Sequence, residues 1–169
     1  LMRHSLMFPL AVVMVAAPLA AVPVPPSQPF KVMHSVYKAM ENGSEAPNIP
    51  LTPRLRALMA LEQKETPEGE LGRIDFDWLV NGQDSKITDS KVTVRTVDYA
   101  PSRMIVVVRF KNFGKQMENH FFWEKDAKGK WALDDVRSIE PNGPGFTLSL
   151  VLKYGYDGPE EPIDGAKDE

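Results

Sequence analysis

Four stretches between Ser90 and Ser138 constrain the fold of this chain more than any other feature. SKVTVRTVDY (90–99) alternates Val92, Val94 and Thr96 with Thr93, Arg95 and Val97. SRMIVVVRFKN (102–112) is β-branched and apolar on both faces, as expected of a strand inside a sheet. QMENHFFWEK (116–125) follows a Phe113-Gly114 turn, and KWALDDVRS (130–138) follows a turn over 126–129. A period of two predicts strands, and connections this short predict hairpins, so the sheet is expected to be an antiparallel meander. FTLSLVLKYG (146–155) fits either a last strand or a short helix.

The residues before the meander follow a different period. Phe30, Met33, Val36, Tyr37 and Met40 recur at steps of three and four, and Asn42-Gly43 supplies a left-handed stop. LTPRLRALMALEQKE (51–65) opens with Thr52 as N-cap and Pro53 at the first helical position. Leu55, Leu58, Met59 and Leu61 are its expected buried stripe. Thr66-Pro67 repeats the same start signal. Helices followed by a run of antiparallel strands predict an α+β fold, with N-terminal helices packed on a curved antiparallel sheet. A concave face left by that sheet is a natural place for a small-molecule site.

At 169 residues the chain has the length of one domain. Its first 21 residues differ from the rest. Arg3 and His4 precede the uncharged LMFPLAVVMVAAPLAA, the pattern of a secretory signal peptide with cleavage after Ala20 or Ala21. Pro9 and Pro18 interrupt the apolar run, so no membrane span is expected after cleavage. The expected organisation is a signal peptide over 1–21, a Pro-rich lead-in over 22–29, one α+β domain over 30–155 and an acidic tail over 156–169. The expected location is periplasmic or secreted. The absence of cysteine excludes disulfides, thiolate catalysis and Cys-ligated zinc. A net charge of −3 without a basic run argues against a nucleic-acid surface.

GRIDFDWLVNGQDSK (72–86) is the densest group of candidate site residues: Asp75, Asp77, Trp78, Gln83 and Asp84. Three carboxylates this close could meet a hard cation. An EF-hand-type loop needs oxygen ligands at alternate positions and a closing Glu, and here Phe76 and Trp78 interrupt the alternation. No metal site is therefore expected. The competing structural reading has Asp75 capping a turn over Phe76–Leu79, Asp77 beside that turn's positive start, and Asp84 opening the first strand. An organic or protein ligand remains open beside it. Phe121, Phe122, Trp123 and Trp131 form the main aromatic cluster, half of it expected in the core and half free to line a pocket, with Trp123 the ligand-binding candidate.

Catalytic candidates are few. His120, in a strand, could serve as a base if Asp77 or Asp135 oriented it, or could simply be packed. Asp134 and Asp135 are adjacent in a strand and are expected to face opposite ways, one of them meeting Arg54 or Arg137. There is no Gly-x-Ser-x-Gly, paired-histidine or phosphate-loop motif, and no cofactor is expected.

Thr52-Pro53-Arg54-Leu55, Asp75-Phe76-Asp77, Gln83-Asp84 and Trp131 with Asp134-Asp135-Val136 together resemble a bacterial exported family, domain of unknown function family 3828, over residues 30–155. That family is similar to the nuclear transport factor 2-like superfamily. The resemblance implies a cone formed by a bent sheet on helices, and a homodimer through the open sheet face. Trp78 stands where members often have proline, and Gly82 where they often have alanine. The function this implies is an exported, non-catalytic binding or protein-interaction domain of the bacterial envelope, acting on a small ligand or an envelope protein. The alternatives are a small pocket enzyme of isomerase or hydrolase type, or an immunity protein against a toxin. Fold alone does not choose between them.

Overall fold

The computed structural model describes residues 27–97, 100–140 and 145–155. The expected signal peptide, most of the lead-in and the acidic tail lie outside the described residues.

Helix α1 (Gln28–Glu41) starts inside the expected lead-in, because Ser27 caps it by accepting the Phe30 N–H and Pro29 sits in its first turn. Its Met33, Val36 and Tyr37 are fully buried, as their spacing predicts. Gly43 follows the helix with a φ of 63°, the left-handed conformation that glycine adopts without steric cost. Helix α2 (Pro53–Glu65) opens as expected, with the Thr52 hydroxyl accepting the Leu55 N–H at 3.2 Å. Leu55 is buried and Leu58 and Met59 pack against the core, but Leu61 is 50% exposed and does not belong to the stripe. Thr66 starts no helix. It ends α2, its hydroxyl donating to the Glu62 carbonyl at 2.9 Å.

The strands are β1 (Ile87–Thr96), β2 (Arg103–Asn112), β3 (Lys115–Lys125), β4 (Trp131–Ile139) and β5 (Phe146–Thr147). They form one sheet in the order β1-β2-β3-β4-β5, all neighbours antiparallel: the expected meander. The β2–β3 hairpin turns on Phe113 and Gly114, both at positive φ (48° and 80°), the twist a two-residue hairpin needs. At the next turn the Asp126 carboxylate accepts the N–H groups of Lys128 and Lys130. The ambiguous 146–155 segment is both things in turn. Two residues pair with β4, and helix α3 (Leu148–Tyr154) begins at once after them.

That early switch to helix leaves β5 very short, and the sheet is open, with β1 and β5 as its edges. It is not closed or strongly curled, so the finer expectation of a cone is not met in that form. The helices cover one face. Val106, Val108, Phe110, Met117, Phe121, Trp123, Leu133 and Val136 point into it and join Met33, Val36, Tyr37 and Leu55 in a single core. Strand alternation sends Ile105, Val107, His120 and Phe122 to the opposite face.

Two irregularities break the regular pairing. One interrupts β1 between Thr88 and Lys91. The other interrupts the β3–β4 ladder: Phe122 pairs with Asp135 and Trp123 with Leu133, so Asp134 is the extra residue of a bulge.

Candidate functional site

The 72–86 stretch is a tight turn stitched to the core. Asp77 makes it. Its carboxylate accepts the Leu79 N–H at 2.8 Å, its carbonyl accepts the Val80 N–H at 3.1 Å, and its own N–H donates to the Gly82 carbonyl at 2.9 Å. The capping role expected of Asp75 therefore belongs to Asp77, which has the backbone donor two residues on, the usual reach of an Asx turn. Asn81 takes a φ of 50° and donates to Glu140 at 2.6 Å. Two buried groups clamp the turn from below: the Tyr37 hydroxyl and the Asn119 amide both donate to the Leu79 carbonyl, at 2.6 and 2.8 Å. Burial pushes the Tyr37 phenol far above its ordinary pKa, so it is a permanent donor. Trp78 is half-buried against the core, while Asp75, Gln83 and Asp84 are exposed. No group of three or more potential metal-ligating side chains that could hold an ion occurs among the described residues.

The bulge in β4 builds a second junction. Because Asp134 is the extra residue, it and Asp135 do not simply face opposite ways. Both come within reach of Arg54, at 2.8 and 3.7 Å. Asp134 accepts the Thr52 hydroxyl at 2.7 Å and a two-pronged contact from Arg54, whose Nη2 also donates to the Asp134 carbonyl at 2.6 Å. Burial works against ionisation of Asp134, but the hydrogen bonds from Arg54 and Thr52 outweigh it and hold the carboxyl below its usual range. Asp135 accepts the N–H and the hydroxyl of Ser149, at 3.0 and 2.6 Å, and so caps α3, which Thr147 leaves uncapped. The chain over Pro50–Thr52 also pairs with Leu133, by bonds of 2.7 and 2.8 Å. Thr52, Arg54, Asp134 and Asp135 thus form one built cluster that fixes the starts of two helices. Sequence reading anticipated the Arg54 contact. It did not anticipate the bulge, or Ser149.

The sheet face away from the helices carries the remaining chemistry. Across the strands Arg95 lies beside Ile105, Ile105 beside Phe122, and Phe122 beside Asp135; the next row is Thr93, Val107, His120 and Arg137. Val107 is fully buried within this face. His120, with a side chain 14% exposed, contacts Glu118 at 2.5 Å through Nε2, and Glu118 takes the Arg109 Nε at 2.5 Å. Burial again opposes ionisation of Glu118, and the His120 and Arg109 bonds overcome it, so its carboxyl stays below the ordinary value. Neither expected orienting acid holds His120. Asp77 belongs to the turn clamped by Asn119, whose side chain lies on the opposite face of β3, and both Asp135 oxygens are engaged by α3.

At one end of this face a cleft of about 510 Å³ is lined by Arg103, Ile105, Phe122, Glu124, Asp135 and Arg137, with Trp123 and Thr147 contributing. Of the expected ligand-binding residues only Trp123 borders it, and its side chain is a fully packed core member. The turn residues Asp75, Asp77, Trp78, Gln83 and Asp84 do not line it. Phe122 belongs to the half of the aromatic cluster that was free to line a pocket, and it does line the cleft; Ile105 and Arg137 are the cleft residues that the sequence did not single out as a site.

No family model, curated protein or solved structure matches this chain.

Proposed function

We propose that this chain is a non-catalytic binding or protein-interaction domain of the bacterial envelope, exported to the periplasm or secreted. The observation that carries the reading is the cleft on the uncovered sheet face. Its floor is apolar, its rim is charged, and its size falls in the range of about 300–1,000 Å³ usual for small-ligand sites. Export rests on Arg3 and His4 ahead of the charge-free LMFPLAVVMVAAPLAA run. Kinship with family 3828 and the nuclear transport factor 2-like superfamily is part of the same proposal. Helices first and then an antiparallel meander support it, the open sheet standing in for the superfamily's cone. The occupant of the face is a small ligand, an envelope protein or a second copy of the chain.

The test is capture. The full chain with a C-terminal affinity tag is expressed in the producing bacterium and recovered from the envelope fraction. One stoichiometric partner surviving moderate salt, or an extracted small molecule that raises the melting temperature, supports the reading. Recovery only from the cytoplasm, with neither, refutes it.

A further inference from the structure

We infer that the cleft takes a small amphipathic monoanion, an organic carboxylate with an apolar body. The inference rests on the proposed binding function and names the class of ligand.

The charges on the cleft wall are unequally spent. Three carboxylates stand there, and each is engaged. Glu124 pairs with Arg103 at 3.1 Å. Asp134 is held by Thr52 and by the Arg54 fork. Asp135 is held by the Ser149 hydroxyl, by the Ser149 and Val136 N–H groups and, at longer range, by Arg54. Arg137 is different. It is exposed, it lines the cleft, and it has no hydrogen-bond or ion-pair partner among the described residues. Among the described residues the wall thus offers one guanidinium fork without a partner, the geometry that suits a carboxylate.

The three engaged carboxylates set the opposite limit. A ligand with several negative groups would meet their field, and a cation would face Arg103 and Arg137 on the same wall. In the row of the sheet next to Arg137, and lining the same cleft, are Ile105 and Phe122, half-buried and adjacent across β2 and β3. They favour an apolar body, branched or flat, beside the single charge.

The experiment titrates the purified full chain with hexanoate, decanoate and 4-phenylbutyrate, and with the neutral 4-phenylbutyramide, by isothermal titration calorimetry. At least one of the acids is expected to bind saturably at one site per chain, 4-phenylbutyrate among them. The amide should bind roughly tenfold more weakly or worse, the worth of a hydrogen-bonded charge. Arg137→Gln should impose the same loss on the acid. Arg95→Gln, on the same face but outside the cleft, should leave affinity unchanged. Circular dichroism confirms that both variants are folded. Failure of all three acids to bind, equal binding of acid and amide, or equal losses in the two variants overturns the inference. A captured partner combined with failure of all three acids would sink the carboxylate assignment alone and leave the binding-domain reading standing.

Discussion

Replacing Asp134 with alanine is expected to destabilise the protein by about 2–4 kcal/mol at neutral pH, through two losses of different size. The Thr52 hydroxyl, bonded at 2.7 Å, loses a charged and partly buried acceptor. Hydrogen bonds to charged groups contribute about 1.5–3 kcal/mol. The Arg54 fork is worth less, because its side chain is 46% exposed and solvent screens it. About 0.5–1 kcal/mol is the appropriate range there. Arg54→Ala alone should therefore cost about 1 kcal/mol, since Asp134 keeps Thr52. The double variant should be less destabilised than the two single costs added together, because each single change already removes the shared contact. Urea denaturation followed by tryptophan fluorescence measures all three.

The same pair gives a pH signature with a definite sign. Asp134 has a folded pKa below its unfolded value. Its contribution is therefore complete above the unfolded value, about 3.9, and is lost as the pH falls through the folded one. The stability gap between the parent and Asp134→Ala should be constant from pH 7 to about pH 5 and close on further acidification. A cost at pH 7 within about 0.5 kcal/mol, the range of an ordinary surface change, would show that the junction does not anchor α2. A gap that persists unchanged at low pH would show that the loss comes from packing and not from charge.

Three further outcomes are expected. Tyr37→Phe keeps the ring packing on Phe110, at 5.0 Å between centroids, but strips the Leu79 carbonyl of one donor, and should cost about 1–2 kcal/mol in the same urea assay. Phe113→Asn should raise stability by about 1 kcal/mol, because Phe113 holds a φ of 48° that asparagine tolerates far better, and thermal unfolding reads the gain. Gly145→Ala should cost about 2 kcal/mol or more and lower the melting temperature, because the new Cβ would collide with the Ser138 backbone carbonyl, which cannot rotate away as a side chain can.

Legibility in the sequence tracks the range of the force involved. Thr52-Pro53 and Gly43 act on neighbouring backbone, so the start of α2 and the end of α1 were visible locally. Period two survives in any strand with one covered face, so the four long strands were visible as well. Thr66-Pro67 carried the same letters as a helix start and became a helix end, because the Thr66 hydroxyl could also reach back to the Glu62 carbonyl four residues earlier. Leu61 continues the spacing of Leu58 and is exposed, since spacing says which residues share a helix face and not how far a neighbour reaches along it. The bulge at Asp134 was invisible for a stronger reason. It is a property of two strands in register, and β4 alone gives no sign of it. The α+β layering needed only local signals, whereas the two-residue length of β5 depended on α3 beginning directly after Thr147.

The placement of His120 decides how the chemistry divides. Side chains alternate along β3, so Asn119 enters the core and clamps the Asp77 turn, while His120 faces the other way among Val107, Arg137 and Glu118. A base built from His120 and Asp77 would have to act through the sheet. Glu118, the acid that His120 does contact, sits two residues away on the same strand and is itself drawn toward Arg109. That contact places a charge partner beside the ring. The cleft, one row away, offers Arg137, unpaired among the described residues, and the apolar Ile105 and Phe122 in place of an acid–base pair. An array of that kind can hold a ligand by one charge and one apolar face. Its discrimination should depend on Arg137 and Phe122, and a variant at Asp77 should change stability while leaving ligand affinity untouched.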